Sequence, residues 1–148
     1  MHEELAIDDK VASILSLALR LDGFFPEFKA EHVNKIFPRS RLYAYASGSQ
    51  VIVQGEGGRD LYVIYSGSVE VGKTFGSAGI QVAALGVGGV FGEIGLLQGG
   101  ARSATVVTSE DSSIFRLVYE DMSYLLNYNR ELAAHLKAMA ARRIEPPR

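Results

Sequence analysis

The feature of this sequence that most limits its possible folds is a series of short apolar segments between residues 41 and 117, most of them followed by a glycine-containing turn. The segments are too short for typical helices and are rich in the β-branched and aromatic residues that favour strands. Short strands with turn residues between them are typical of β-sandwiches and jelly rolls. The predicted strands are residues 42–45, 50–54, 61–65, 69–73, 80–85, 104–108 and 113–117.

Helical periodicity is found at both ends of the chain. Near the N-terminus, apolar residues recur at helical spacing until Gly23, which suits a helix C-terminus. A second short helix is predicted to end before Pro38. Phe24 and Phe25 lie between these helices and Phe28 at the start of the second, and all three are predicted to be core residues. The predicted helices are residues 3–20, 27–37, 119–128 and 130–144.

These patterns together predict one mainly β domain with flanking helices, folded as a double-stranded β-helix (jelly roll). At 148 residues the chain is long enough to bury a single hydrophobic core. N-terminal helices are expected in residues 1–40, the β-roll in residues 41–118 and C-terminal helices in residues 119–148.

Residues 91–106 (FGEIGLLQGGARSATV) combine glycines, opposite charges and hydroxyls, the residue types that a ligand-binding site uses. Gly92 and Gly95 allow close approach of the main chain, because they carry no Cβ atom. Glu93 and Arg102 are opposite charges among apolar neighbours, and a guanidinium there can bind two phosphate oxygens at once. The stretch that begins at Glu93 can form one helical turn, whose N–H groups would face an anion. The segment therefore predicts a site where Arg102 binds a phosphate and Glu93 accepts a hydrogen bond from a sugar hydroxyl.

A second interpretation is that Glu93 and Arg102 form a structural ion pair, with the glycines only shaping turns. A buried ion pair without a ligand contributes little stability, because desolvation offsets most of the Coulomb attraction. That argument favours a ligand site, and the residues alone leave both interpretations open.

The order of residues in this segment resembles the phosphate-binding cassette of cyclic-nucleotide-binding domains, as found in the catabolite activator protein and the regulatory subunits of protein kinase A. The similarity extends over about residues 24–143. One departure is Ala101, where the family often has proline, which predicts a less rigid loop before Arg102. The matching residues are Phe91, Gly92, Glu93, Ile94, Gly95, Leu96, Arg102, Ser103, Ala104 and Thr105.

The resemblance implies a 3′,5′-cyclic nucleotide as ligand, cAMP with cGMP as the alternative, and no further cofactor. Because the last helix closes over the base in this family, Arg143 is a candidate base contact; solvated Arg142 and Arg143 that complement the helix dipole are the other interpretation. The candidate ligand-binding residues are Gly92, Glu93, Ile94, Gly95, Arg102, Ser103, Ala104 and Arg143. Candidates to line the pocket, or to be core residues, are Val51, Val53, Leu61, Val63 and Leu85.

The resemblance also implies a sensor without catalytic activity, which signals by re-packing of its C-terminal helices. A protein partner or a second copy in a homodimer would detect that change. The helix-turn-helix segment of the activator relatives does not follow residue 148, which suggests a freestanding sensor or an excised domain. A net charge of -2 gives no sign of a nucleic-acid partner.

Other functions fit the sequence less well. There are no cysteines, and the three histidines His2, His32 and His135 lie on predicted termini or helices, which disfavours a cupin-like metal enzyme. A roll that has lost its ligand and serves as an interaction scaffold would be expected to lack the glutamate or the arginine. The acidic start and the absence of a long apolar run predict a cytoplasmic protein with no membrane contact.

Overall fold

The computed structural model describes residues 2–23, 25 and 27–144, with residues 142–144 as helical main chain only. Nine strands form two antiparallel sheets in this part of the chain, and helices pack at the ends. The strands are β1 (Glu3–Leu5), β2 (Arg41–Tyr45), β3 (Gln50–Ile52), β4 (Leu61–Ser66), β5 (Val69–Phe75), β6 (Ala78–Leu85), β7 (Val90–Phe91), β8 (Thr105–Thr108) and β9 (Ser112–Leu117).

The strand order joins the beginning of the roll to its end. One sheet has the order β1-β2-β9-β4-β7 and the other β3-β8-β5-β6. Strand β2 pairs with β9 and β3 pairs with β8, so early strands lie beside late ones. This pairing confirms the predicted jelly-roll architecture with flanking helices.

Two groups of buried side chains hold the roll and the helices together. One group lies between the two sheets and includes Ile64, Phe91 and Ile114. The other lies between the first sheet and the helices. The second group includes Leu15 and Leu136 from opposite ends of the chain, so the N-terminal and C-terminal helices share one core.

The helices are α1 (Asp9–Leu19), α2 (Ala30–Ile36), α3 (Glu93–Gln98), α4 (Tyr119–Tyr128) and α5 (Arg130–Ile144). The predicted bounds of α4 and α5 are confirmed. Phe28 is buried and Phe25 packs against the same core, as predicted; Phe24 lies outside the described residues.

The prediction of a helix over residues 3–20 is wrong at its beginning. Leu5 and the two residues before it form β1, which pairs with β2. Helix α1 begins only after Asp8, whose carboxylate accepts a hydrogen bond from the Val11 amide at 3.0 Å. That N-cap fixes the start of the helix, and pairing with a distant strand determines the conformation before it.

Several further boundaries differ from the prediction, and strand β7 was not predicted. Helix α2 begins at Ala30 rather than at residue 27, and the Lys29 amide before it donates to Nδ1 of His32, which is one half of a capping box. The loop predicted near residues 76–79 is shorter: Phe75 pairs with Ala78, so a two-residue turn joins β5 to β6.

Candidate functional site

The segment that contains the predicted site begins with a tight turn at Gly92. This residue follows β7 and has φ of +91°, a conformation that residues with a Cβ atom rarely adopt. A Cβ atom at this position would also lie 2.6 Å from the main-chain oxygen of Asp60. The turn therefore requires glycine, and it brings the start of α3 against the start of β4.

The main chain of Arg102 is held by the turn that follows β3. The Arg102 amide donates to the Glu56 oxygen at 2.7 Å, and the Gly55 amide donates to the Arg102 oxygen at 2.9 Å. An isolated bridge between Gly57 and Ala101 adjoins these bonds. Main-chain pairing therefore holds the segment around Arg102, where Ala101 stands at the position at which the family often has proline.

The guanidinium of Arg102 points into the protein, where main-chain oxygens and glycines surround it. Nη1 donates to the oxygen of Gly92 at 3.3 Å, and Nη2 donates to the oxygen of Asp60 at 3.0 Å. A Cβ atom at Gly95 would lie 2.5 Å from Nη1, and one at Gly58 would lie 3.1 Å from Nη2. The glycines thus create the space that the guanidinium occupies.

Glu93 and Arg102 are both buried, with 1% and 8% of their surfaces exposed. Burial lowers the pKa of Arg102, and attraction to Tyr62, Asp60 and Glu93 opposes that shift. The guanidinium donates to the main-chain oxygens of Gly92 and Asp60, and Glu93 is near enough to attract its charge. This arrangement fits both interpretations that the sequence leaves open, a binding site and a structural ion pair.

The remaining candidates lie around these two residues. Ile94 and Ala104 are half-buried, and Ser103 is exposed directly beside the buried Arg102. The side chain of Arg143 lies outside the described residues. Of the candidates to line the pocket, Leu61 and Val63 are buried in the core between the sheet and the helices.

Sequence reasoning missed the charged pair Arg59 and Asp60, which lies beneath the site at the start of β4. Asp60 contacts Arg102 through its main-chain oxygen, and its carboxylate accepts from Arg116 and from the amide of Tyr119. A charged pair in a glycine-rich turn usually faces solvent, so the local sequence gave no signal. Only the meeting of β4, β9 and α4 reveals its role.

A cavity of about 400 Å³ lies away from Arg102, between α1, the turn before β7 and α5. Leu85, one of the candidates to line a ligand pocket, contributes to its wall. The other lining residues are Leu17, Ala18, Arg20, Gly88, Gly89, Val90, His135 and Met139.

The three histidines lie in separate parts of the structure. His2 packs at a tilt against Tyr45 with ring centroids 4.0 Å apart, His32 accepts from the Lys29 amide at the start of α2, and His135 lies on α5. Within the described part of the chain, no helix combines the length and apolar character needed to cross a bilayer.

Comparison with known proteins adds evidence from outside the structure. The profile of the cyclic nucleotide-binding domain family matches residues 43–129. The cyclic AMP receptor protein of Thermus thermophilus is 38% identical over 101 residues, which cover 68% of this chain and 47% of that protein.

Solved structures agree with the sequence match. The crystal structure of the Thermus thermophilus catabolite activator protein superposes with a TM-score of 0.71 and 34% identity, covering 86% of this chain and 58% of that one. The regulatory domain of Toxoplasma gondii protein kinase A, crystallised with cAMP, gives a TM-score of 0.74 and 25% identity, covering 88% and 48%. The chain spans about half the length, or less, of the relatives it matches by sequence.

Proposed function

This chain belongs to the family of cyclic nucleotide-binding domains, and on that premise we propose that it is a non-catalytic sensor that binds cAMP. The observation that carries the proposal is the buried Arg102 guanidinium, held between glycines by hydrogen bonds to two main-chain oxygens. Relatives named for cAMP support the choice of ligand.

Arg102 is the proposed phosphate ligand. A guanidinium has five N–H donors, and two of them donate to the oxygens of Gly92 and Asp60. These two bonds fix the plane of the guanidinium, and its other N–H groups can bind phosphate oxygens. A charge-assisted contact of this kind contributes on the order of 1.5–3 kcal/mol. Ser103, exposed beside Arg102, can add its hydroxyl and its amide.

Glu93 is the proposed acceptor for the ribose 2′-hydroxyl. Its carboxylate repels a phosphate, but it has several lone pairs that can each accept a hydroxyl proton. Because Glu93 is almost completely buried, a sugar can reach it only when the groups that cover it move. Binding is therefore expected to require local opening of the protein around α3.

The C-terminal helices are the proposed output. Helices α3 and α5 pack together, and Leu96 of α3 belongs to the same core as Leu132 and Leu136 of α5. A ligand that displaces α3 must therefore disturb α5. We propose that a protein partner, or a second copy of the chain, detects the new position of these helices in the cytoplasm.

The role of Glu93 can be tested with a ligand analogue. The wild type and Glu93→Ala are titrated by calorimetry with cAMP and with 2′-deoxy-cAMP. If Glu93 binds the 2′-hydroxyl, removing that hydroxyl weakens wild-type binding by about tenfold and Glu93→Ala binding by much less. Equal losses in both proteins would contradict the role of Glu93, and no binding of cAMP by the wild type would contradict the proposed function.

A further inference from the structure

We propose that Asp60 is a positioning residue that links the Arg102 guanidinium to the first turn of α4. The inference rests on the proposed function, because it assigns a route from the ligand site to the C-terminal helices. Asp60 contacts Arg102 with its main chain and α4 with its side chain. A single residue thus lies directly between the two parts of the protein that ligand binding must connect.

The main-chain oxygen of Asp60 contributes to the ligand site. It accepts from Nη2 of Arg102 at 3.0 Å, one of the two bonds that orient the guanidinium. It also lies against Gly92, where a Cβ atom would be 2.6 Å away. Any movement of the Asp60 peptide therefore changes the direction of the guanidinium, and a ligand that pulls on the guanidinium changes the Asp60 peptide.

The carboxylate of Asp60 contacts the start of α4. Its Oδ1 accepts from the amide of Tyr119, the first residue of α4, at 3.0 Å. The N-cap residue Val118 makes no side-chain capping bond. Asp60 therefore satisfies one of the free N–H groups at the start of the helix, and its negative charge also suits the N-terminal end of the helix dipole.

A pair with Arg116 holds the carboxylate in that orientation. Nε and Nη2 of Arg116 both contact Oδ2 of Asp60, at 2.7 Å and 2.6 Å. The hydrogen bond and attraction to Asp60 raise the pKa of Arg116, although burial acts in the opposite direction. With one oxygen paired to β9 and the other to α4, the carboxylate has little freedom to rotate.

The neighbouring residue Arg59 makes a parallel connection. Its Nη2 donates to the oxygen of Leu96 in α3 at 2.8 Å, and its guanidinium lies 4.1 Å from the ring centre of Tyr119. Its Nε is buried without a hydrogen-bond partner among the described residues. Arg59 thus joins α3 to the same first residue of α4 that Asp60 caps, with one donor still unsatisfied.

The physical consequence is reciprocal coupling. If the Arg102 site and the start of α4 share Asp60, a ligand that favours one position of the Asp60 peptide also favours one position of α4. A purely structural Asp60 would stabilise α4 equally with and without ligand. The two roles therefore differ in one measurable quantity, the change that the ligand causes at α4.

The experiment compares hydrogen exchange of residues 119–144 with and without cAMP in the wild type, Asp60→Ala, Asp60→Asn and Asp111→Ala. Asp111 is the matched control, because its carboxylate also accepts a main-chain amide from a distant residue, Ser47, at 2.9 Å. Calorimetry on the same samples gives the affinity for cAMP, and thermal melting gives the stability.

We expect cAMP to change the exchange of α4 in the wild type and in Asp111→Ala. In Asp60→Ala we expect binding to persist within about tenfold of the wild type, while the ligand-induced change at α4 falls at least about fivefold. Asp60→Asn keeps an oxygen for the Tyr119 amide and should restore part of the response. If Asp60→Ala does not fold, the same reduction is expected in Arg116→Gln, which removes the pair that holds the carboxylate.

A wild-type-sized response at α4 in Asp60→Ala, or in Arg116→Gln when it is the variant used, would overturn the inference. So would a lower melting temperature with an unchanged ligand response, since that is the result of a structural role alone. If the wild type does not bind cAMP, the proposed function fails and this inference fails with it. If the wild type binds cAMP and the variant shows the same cAMP-induced change at α4, the proposed function stands and only the role of Asp60 is contradicted.

Discussion

Gly95 lies so close to Arg102 that a Cβ atom on the glycine would be 2.5 Å from Nη1 of the guanidinium. It would also be 2.8 Å from the main-chain oxygen of Gly58, so moving the flexible arginine alone would not relieve the contact. The absence of a side chain at residue 95 is therefore a condition for the position of the guanidinium.

The first prediction concerns Gly95→Ala. Alanine favours a helix by about 1 kcal/mol over glycine, whereas overpacking costs about 1–3 kcal/mol, so the net loss of stability should be small. The displaced guanidinium should weaken cAMP binding by about tenfold or more, measured by calorimetry. Gly79→Ala is the control, because nothing lies within 4 Å of a Cβ atom there. Equal affinities in the two variants would show that the close contact does not shape the site.

The second prediction concerns the chemistry of Arg102. Arg102→Lys keeps the charge and loses the planar fork, so it should weaken cAMP binding by about tenfold or more. Arg41→Lys is the matched control. The side chain of Arg41 is more exposed than that of Arg102, and its Nε lies 3.4 Å from Oε1 of Glu4. Circular dichroism establishes that both variants are folded. Wild-type affinity in folded Arg102→Lys would exclude bidentate binding of the phosphate by this residue.

The third prediction concerns the contact of α4 with the residues just before β2. Asp121 is buried, and its Oδ2 accepts from the Ser40 hydroxyl at 2.7 Å and from the Arg39 amide at 3.0 Å. Asp121→Ala leaves these donors, including the buried Ser40 hydroxyl, without an acceptor and should lower the free energy of unfolding by about 2–3 kcal/mol. The measurement is urea denaturation. Glu120 lies in the same helical turn but is exposed, so Glu120→Ala should lower the free energy of unfolding by less than about 1 kcal/mol. Similar losses of stability in the two variants would contradict the role of Asp121.

The fourth prediction concerns the start of α5. Asn129 is buried, and its Oδ1 accepts from the Leu132 amide at 2.9 Å, as an N-cap residue does. Asn129→Ala should lower the free energy of unfolding by about 1 kcal/mol, and Asn129→Ser should recover most of that loss. Denaturation curves of the three proteins check this. An equal loss in Asn129→Ser would show that the packing of the amide, rather than the cap, is what stabilises the helix.

The sequence predicts the roll and the C-terminal helices well because their signals are local. Glycine turns limit the strands, and helical periodicity returns directly after β9. The first strand was missed because the strand it pairs with, β2, lies far along the chain. Periodicity alone cannot distinguish residues 3–5 as a paired strand from the beginning of a helix.

The site, like the fold, is only partly predictable from the sequence. The residue types that suit a phosphate and a sugar hydroxyl can be read directly from residues 91–106. The actual hydrogen bonds of Arg102 cannot, because its acceptors are main-chain oxygens, which every residue carries. The role of Asp60 depends on Tyr119, which reaches it only through the folding of β4, β9 and α4.

The most direct test of the account is calorimetric titration of the wild-type chain with cAMP and with cGMP, on protein shown to be free of co-purified nucleotide. We expect micromolar or tighter binding of cAMP, with a stoichiometry of one per chain and weaker binding of cGMP. Tighter binding of cGMP would correct the identity of the ligand and leave the site in place. No binding of either nucleotide by folded protein would contradict the central claim, and the roll would then be an interaction scaffold.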